Sequence, residues 1–459
     1  MARELQAERS GWIEALGLPQ IARTPGIALR PGKLGVAFVG IMLTLSWGWV
    51  LDFAWTRVGG IGEDAIGRYI ASAQTGMLYD EPAGQSGIFA VYRDQVAGGV
   101  VGFFRSTLSA DPSSPGVGRS LIGLVGGTTW LLREHFVFFL LFAAGALFIW
   151  SVGGGTICRM CALEVARDER PGIRDAFGFA REHFFGGYFL APCVPIVFAL
   201  FWVIVLVVFG MVLRVPILGD FLAGVLFCVA IILGFVVAVL FVGLIVGGSL
   251  FWPTVAAEGS DAFDAFHRGL SYTLSKPWKT VIYGALMIAF TAICWLVARA
   301  FTYAALMVTR TVVGFGTSPF GWWARGPDEA AVSKLELLWP LPSAGAWYTA
   351  PNWAQLGWYE HVSAFLIWVY VLIVIGVLWA FLCSFYFSGS TVLYFLLRRD
   401  VDGVELEDVY IEEPFEPTRP AEAPGAKSAT SSSSPTDASD SSRETGYKPP
   451  SDAASQNDD

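Results

Sequence analysis

Six long stretches nearly free of charge alternate with polar connectors along the chain, at about 34–55, 136–157, 188–213, 218–252, 280–303 and 362–387. At about 1.5 Å per residue each reaches across a hydrocarbon layer roughly 30 Å thick. The pattern predicts an all-α fold: a polytopic helical membrane bundle of about six transmembrane helices, with interfacial amphipathic helices between them. The first run starts near Leu34 and no small-residue cleavage site follows it, so it reads as an uncleaved anchor. The run from Leu218 to Trp252 exceeds one straight span. It tilts, kinks at Gly234, or begins with a re-entrant half-helix.

The connectors divide the rest. Residues 1–33 form a basic arm with Arg3, Arg9, Arg23, Arg30 and Lys33, in which Trp12, Ile13 and Leu16 mark a short interfacial helix. Residues 34–400 are the bundle, with outer loops at 56–135 and 304–361. In the first loop, Glu63 to Gly76 reads as a helix, and 91–108 and 121–132 are apolar but broken by glycine or charge; interfacial, re-entrant and extramembrane placements all remain open. The second loop is rich in tryptophan (Trp322, Trp323, Trp339, Trp347, Trp353, Trp358), a side chain that favours the headgroup level. Residues 401–459 form an acidic tail of Ser, Pro, Ala and Asp, with too little to bury, and the expectation is disorder.

Charge sets the orientation, because short connectors rich in Lys and Arg stay cytoplasmic. The N-terminal arm, the connector with Arg159, Arg167, Arg170, Arg174 and Arg181, the one with Arg268, Lys276 and Lys279, and Arg398-Arg399 all fall on one side. Both termini are then cytoplasmic, and a bacterial inner membrane is the expected location. Composition agrees: 54% of residues are hydrophobic and 15% charged, against about 45–50% and about 25% in soluble domains. The net charge of -9 owes much to the tail, and no basic nucleic-acid surface is visible.

The most informative connector is Gly247 to Lys279, GGSLFWPTVAAEGSDAFDAFHRGLSYTLSKPWK, the end of one span, a polar hinge, an amphipathic helix and the start of the next span. Gly153 to Tyr188 is a looser copy. With Val152-Gly153-Gly154 on Val246-Gly247-Gly248, Glu164 falls on Glu258, and after a short insertion Asp175-Ala176-Phe177 falls on Asp264-Ala265-Phe266. Ser260 reads as the N-cap of the second amphipathic helix, with Asp261 in its first turn. Phe263, Phe266, Leu270 and Leu274 then line one face, and Asp264, His267, Arg268 and Ser271 lie opposite. In the first copy Ile173, Phe177, Ala180 and Phe184 share a face, with Arg174 and Arg181 off it. Both helices are expected along the cytoplasmic interface with apolar faces inward, either as plain connectors or as a paired platform of Glu164, Asp175, Phe177, Glu258, Asp264, Phe266 and Arg268.

PTVAAEGSDAFDAFHRGLSYTLSKPWK and its weaker copy, with STVLYFLLRRDVDGVELEDV as a third hinge, resemble the membrane domain attached to some glycerophosphodiester phosphodiesterases and related stand-alone six-span bacterial proteins. The resemblance implies a helical membrane bundle. It implies no activity, because the phosphodiesterase catalytic domain has no counterpart here.

Candidate chemistry is sparse. Cys158-Arg159-Met160-Cys161 lacks the second cysteine pair of a zinc site, and Ala162 stands where haem attachment needs histidine, so packing is the simpler reading. Arg-Glu-His-Phe occurs at 133–136 and 181–184. Topology puts Glu134, His135, Glu360 and His361 at outer span ends, where they either complement helix dipoles or converge on one divalent metal. Glu164 and Glu258 each pair with an arginine of their own connector, such as Arg167 or Arg268, or serve a proton relay. Charges near the middle of spans are nearly absent, since Asp52, Asp220 and Arg299 lie near ends, which argues against an ion pump. Gly243-x-x-x-Gly247 permits a close helix contact. No phosphate loop, HExxH or GxSxG is present. The sequence therefore points to a non-enzymatic scaffold or recruitment protein without cofactors, with membrane lipids and a cytoplasmic protein as partners, and alternatively to a transporter or permease for a lipid or apolar solute.

Overall fold

Every long apolar run is helical, and most of the helices continue past the run that predicted them. The computed structural model describes residues 17–55, 59–108, 116–212, 214, 218–317, 334–341, 353, 356–405 and 407–411. Trp12, Ile13 and Leu16, Trp322, Trp323 and Trp347, and the tail beyond residue 411 lie outside these residues.

In chain order the elements are α1 (Leu18–Ala28), α2 (Pro31–Trp55), α3 (Ala65–Thr75), α4 (Ile88–Leu108), α5 (Val117–Glu134), α6 (Phe136–Arg167), α7 (Ile173–Glu182), a π-helical turn (Phe184–Phe189), α8 (Cys193–Val212), α9 (Leu218–Val242), a second π-helical turn (Gly243–Gly247), α10 (Gly248–Glu258), α11 (Ala262–Ser275), α12 (Pro277–Thr317), α13 (Lys334–Leu338) and α14 (Trp358–Asp402). Among the described residues the extended pairing is limited to isolated bridges from Ile61 to Ala83 and Ser86. Six helical stretches are long and apolar enough to cross a membrane: Pro31–Trp55, Phe136–Arg167, Phe184–Val212, Val225–Glu258, Pro277–Gly316 and Trp358–Asp402. The protein is a multi-pass, all-α membrane protein.

The order of packing follows from which helices touch. α14 lies at the centre, against α2, α6, α10 and α12, and α2 packs along α6. The spans α8 and α9 pack mainly on each other. Their remaining surfaces expose Val197, Phe201, Ile232 and Phe235, as expected where lipid is the solvent. α4 and α5, predicted as broken segments, are continuous helices paired with each other; α4 also packs on α2 and α12. Phe104 of α4 meets Trp295 of α12 at 5.3 Å.

The largest departure from expectation is helix length. α14 has 45 residues, about 68 Å at 1.5 Å per residue, twice what a hydrocarbon layer needs. The excess is buried rather than exposed: residues 384–398, Tyr386 apart, are buried. The ends of α6 and α10 behave likewise, with 154–162 and, Trp252 apart, 250–257 buried. These three ends run the same way and pack together into a head beyond the apolar stretches. α1 docks on it: Ile21, Thr24 and Ala28 are fully buried, and the Ala28 carbonyl accepts a hydrogen bond from Ser384 Oγ at 2.8 Å. Half of the predicted basic arm is therefore part of the packed core, and the compact unit closes at Tyr410.

Run 218–252 is one helical rod whose irregularity is not at Gly234 but in the π-helical turn Gly243–Gly247. A widened turn there lets α11 approach. A Cβ on Gly247 would stand 3.1 Å from the Gly269 carbonyl, so the close contact expected of Gly243-x-x-x-Gly247 is made with α11.

Each head helix stops on a residue in the left-handed region: Asp168 (φ 56), Gly259 (φ 63) and Gly403 (φ 69). Leaving glycine in this region costs about 1–2 kcal/mol. At Gly259 an added Cβ also meets the Tyr410 ring at 2.7 Å, whereas at Gly403 nothing lies within 4 Å. Thermal unfolding in detergent is expected to show Gly259→Ala losing more than Gly403→Ala; equal losses would contradict the Tyr410 contact.

Candidate functional site

The head gathers the ionisable residues of all three hinges. Glu164, in the last turns of α6, is buried against Lys33 (Nζ to Oε2 2.7 Å) and Arg30 (Nε to Oε1 3.0 Å). Its partners come from the junction of α1 and α2, not from Arg167 as expected, because residues 158–167 are still helix and direct Arg167 outward. Glu258, at the end of α10, is bonded as predicted to Arg268 (Nη1 to Oε2 2.7 Å). It also meets Arg398 of α14 (Nε to Oε1 3.2 Å) and accepts a hydrogen bond from the Tyr394 hydroxyl. Both carboxylates serve structural pairing.

Arg268 has a second partner, Asp264 Oδ2 at 3.0 Å. Burial opposes the charge on Arg268, but Glu258 and Asp264 outweigh it and hold its pKa above the usual arginine value. Tyr272 of the same helix donates to Asp402; burial first, and that bond second, push its phenol pKa up. Asp400 receives Lys279 Nζ at 2.7 Å and the Tyr283 hydroxyl at 2.9 Å, and its main-chain carbonyl accepts from Lys276. Arg159 is buried and donates to the carbonyls of Ala256 (2.8 Å) and Tyr410 (2.9 Å), with its guanidinium 3.9 Å from the Phe179 ring centre. It thereby caps the end of α10 and holds the segment after α14 against it. Reading the sequence missed Arg30, Lys33, Arg159, Tyr394 and Arg398. The available signal was cations at the margins of apolar runs, which need internal partners once the helices overrun the membrane.

The hinge helices are amphipathic, but their faces are turned from the expected direction. On α11 the buried side is Ala262, Ala265, Phe266, Gly269, Tyr272 and Thr273. Phe266 is inside as expected, while Phe263 is 57% exposed and Leu274 is 50% exposed. On α7 the buried side is Ala176, Phe179 and Ala180, and Ile173 and Phe177 face outward. Small residues let both helices lie close to the head beside Phe179, Phe266 and Tyr272, and the remaining large side chains Ile173, Phe177, Phe263 and Leu274 go to the other flank. The N-cap of α11 is Asp261, accepting from the Asp264 amide at 2.9 Å, one residue later than the expected Ser260. Asp175 sits exposed in the first turn of α7.

The outer-end candidates are engaged locally. His135 Nε2 is 2.9 Å from Glu81 Oε1, and its ring meets Trp130 edge-on. Glu360 accepts from the Gly357 amide at 2.9 Å, and His361 Nδ1 is 2.8 Å from the Gly357 carbonyl. Glu134 ends α5. Among the described residues no group of three or more His, Cys, Asp or Glu side chains is placed to hold a metal. Cys158 and Cys161 face α14, with their thiols toward the carbonyls of Phe387 (3.8 Å) and Ser388 (3.5 Å), a packing role. Two concave features are an open depression of about 580 Å³ at the head, lined by Arg23, Val165, Ala166, Arg167, Asp168 and Glu407, and one of about 350 Å³ between the first bridge and α4, lined by Glu63, Ser86, Ala90, Val91, Asp94 and Gln95. No protein-family model, curated protein or solved structure matches this chain.

Proposed function

We propose that the protein is a non-enzymatic membrane scaffold, whose cytoplasmic head presents hinge helices and an acidic tail to a protein partner. One observation carries the reading. The three hinges, the N-terminal helix and the end of α14 are locked into one packed head, and most of its buried charges are spent on each other. Such a head supplies a rigid surface. The resemblance to the membrane domain attached to some glycerophosphodiester phosphodiesterases fits, since it covers the hinges alone.

The test is co-purification of cross-linked full-length protein from native membranes, with and without residues 412–459, and with the Asp168 and Glu407 depression reversed in charge. A partner recovered in proportion to the wild-type chain, and lost from either variant at unchanged thermal stability, is the expected result. If the variants alter expression and nothing else, the reading fails.

A second reading, a permease for a lipid or apolar solute, is favoured by the α8–α9 pair, which packs mainly on itself and joins the head through two π-helical turns. Lipid flux in reconstituted vesicles tests it; flux equal to that of empty vesicles excludes it.

A further inference from the structure

The two hinge helices turn large apolar side chains outward, but only one of them sets uncommitted cations beside those side chains. On α7, Ile173 and Phe177 are each 48% exposed. At about 100° per residue, Arg174 and Arg181 form one stripe next to that pair, and Asp175 and Glu182 fall on the far side. The flank is continuous with the lipid-facing surface. Ile173 packs over Gly32, in the first turn of α2, and Phe184, just past α7, meets Phe148 of α6 at 5.1 Å, within the second apolar run.

Most other cations of the head are committed, Arg167 and Arg170 just before α7 apart. Arg30, Lys33, Arg159, Arg268, Lys279 and Arg398 all bond to acids or carbonyls of the protein. Arg174 and Arg181 are exposed, and among the described residues neither makes an ion pair. Both guanidinium groups are open to an anion in the surroundings. On α11 the matching flank has Phe263 and Leu274, but its arginine is held by Glu258 and Asp264.

We propose that the outer flank of α7 is a binding site for an anionic glycerophospholipid, with Ile173 and Phe177 among the acyl chains and Arg174 and Arg181 on the phosphate. α11 takes acyl chains without preference for charge. The site rests on the membrane embedding of the chain and not on the scaffold reading, so either can fail alone. Apolar anchors beside arginine are the signature of a helix lying in the interface of an anionic leaflet.

The experiment equilibrates full-length protein with vesicles of equal phosphatidylglycerol and phosphatidylcholine, solubilises it, and measures the ratio of the two lipids retained. Each arginine near the surface is expected to contribute about fivefold to the preference for phosphatidylglycerol. Arg174→Gln with Arg181→Gln brings the ratio close to parity. Arg174→Lys with Arg181→Lys keeps most of it, and Arg214→Gln, at the turn between α8 and α9, leaves it unchanged. Ile173→Ser with Phe177→Ser lowers the total lipid retained. The proposal is overturned if the double glutamine variant keeps the wild-type ratio, if Arg214→Gln lowers it equally, if millimolar inorganic phosphate abolishes it, or if a protein cross-linked through Arg174 is recovered while the ratio stays at parity.

Discussion

Lys33→Met is expected to lower stability by about 3 kcal/mol, because it strands Glu164 inside the head. The two side chains are 3% and 8% exposed, and their 2.7 Å contact joins positions 131 residues apart. Arg30 stays within 3.0 Å of the same carboxylate but is 41% exposed, so it compensates only in part. Removing both charges, in Lys33→Met with Glu164→Leu, is expected to recover most of the loss, since an apolar pair of similar volume has no desolvation to offset. The measurement is a double-mutant cycle on thermal unfolding in detergent. Strictly additive losses would mean that the pair is not coupled.

The second large effect is expected at Phe387. Its ring is stacked between Trp150 (5.4 Å, 29°) and Trp252 (5.4 Å, 25°), so one side chain of α14 joins α6 and α10. Phe387→Ala removes the volume and both stacking contacts, a loss of about 3–5 kcal/mol, of which the aromatic geometry contributes about 0.5–1.5 kcal/mol per pair. Phe387→Leu restores much of the volume and is expected to cost less than half as much. Phe365→Ala, on the exposed part of the same helix, is the control and should change the unfolding midpoint little. Comparable losses at 365 and 387 would show that the head is not the stable core.

The bundle was legible because apolar length is a strong signal. Each of the six runs is a helix, and Glu258 and Arg268 meet as their spacing implied. Hydropathy could not show where the helices end. Residues such as Arg159, Glu164 and Arg398 look like connector residues, and only tertiary packing shows them to be interior ones with partners more than a hundred positions away or in the segment after α14. The faces of α7 and α11 were misread for a related reason. Periodicity points the largest apolar side chains at the protein, whereas alanine and glycine at Ala176, Ala180, Ala265 and Gly269 make the closest approach and Phe177 and Phe263 are left exposed. A helix at an interface has two apolar surroundings, and periodicity alone does not tell one from the other.

The central position of α14 has a consequence for biosynthesis. Glu258 waits for Tyr394, 136 residues further on, and Glu164 is made long after Lys33. At translation speeds of about 5–20 residues per second, each of these carboxylates or ammonium groups spends roughly 7–27 s without its mate. The keystone of the assembly thus leaves the ribosome after all the other described helices, and each of those must be kept from wrong neighbours until it arrives.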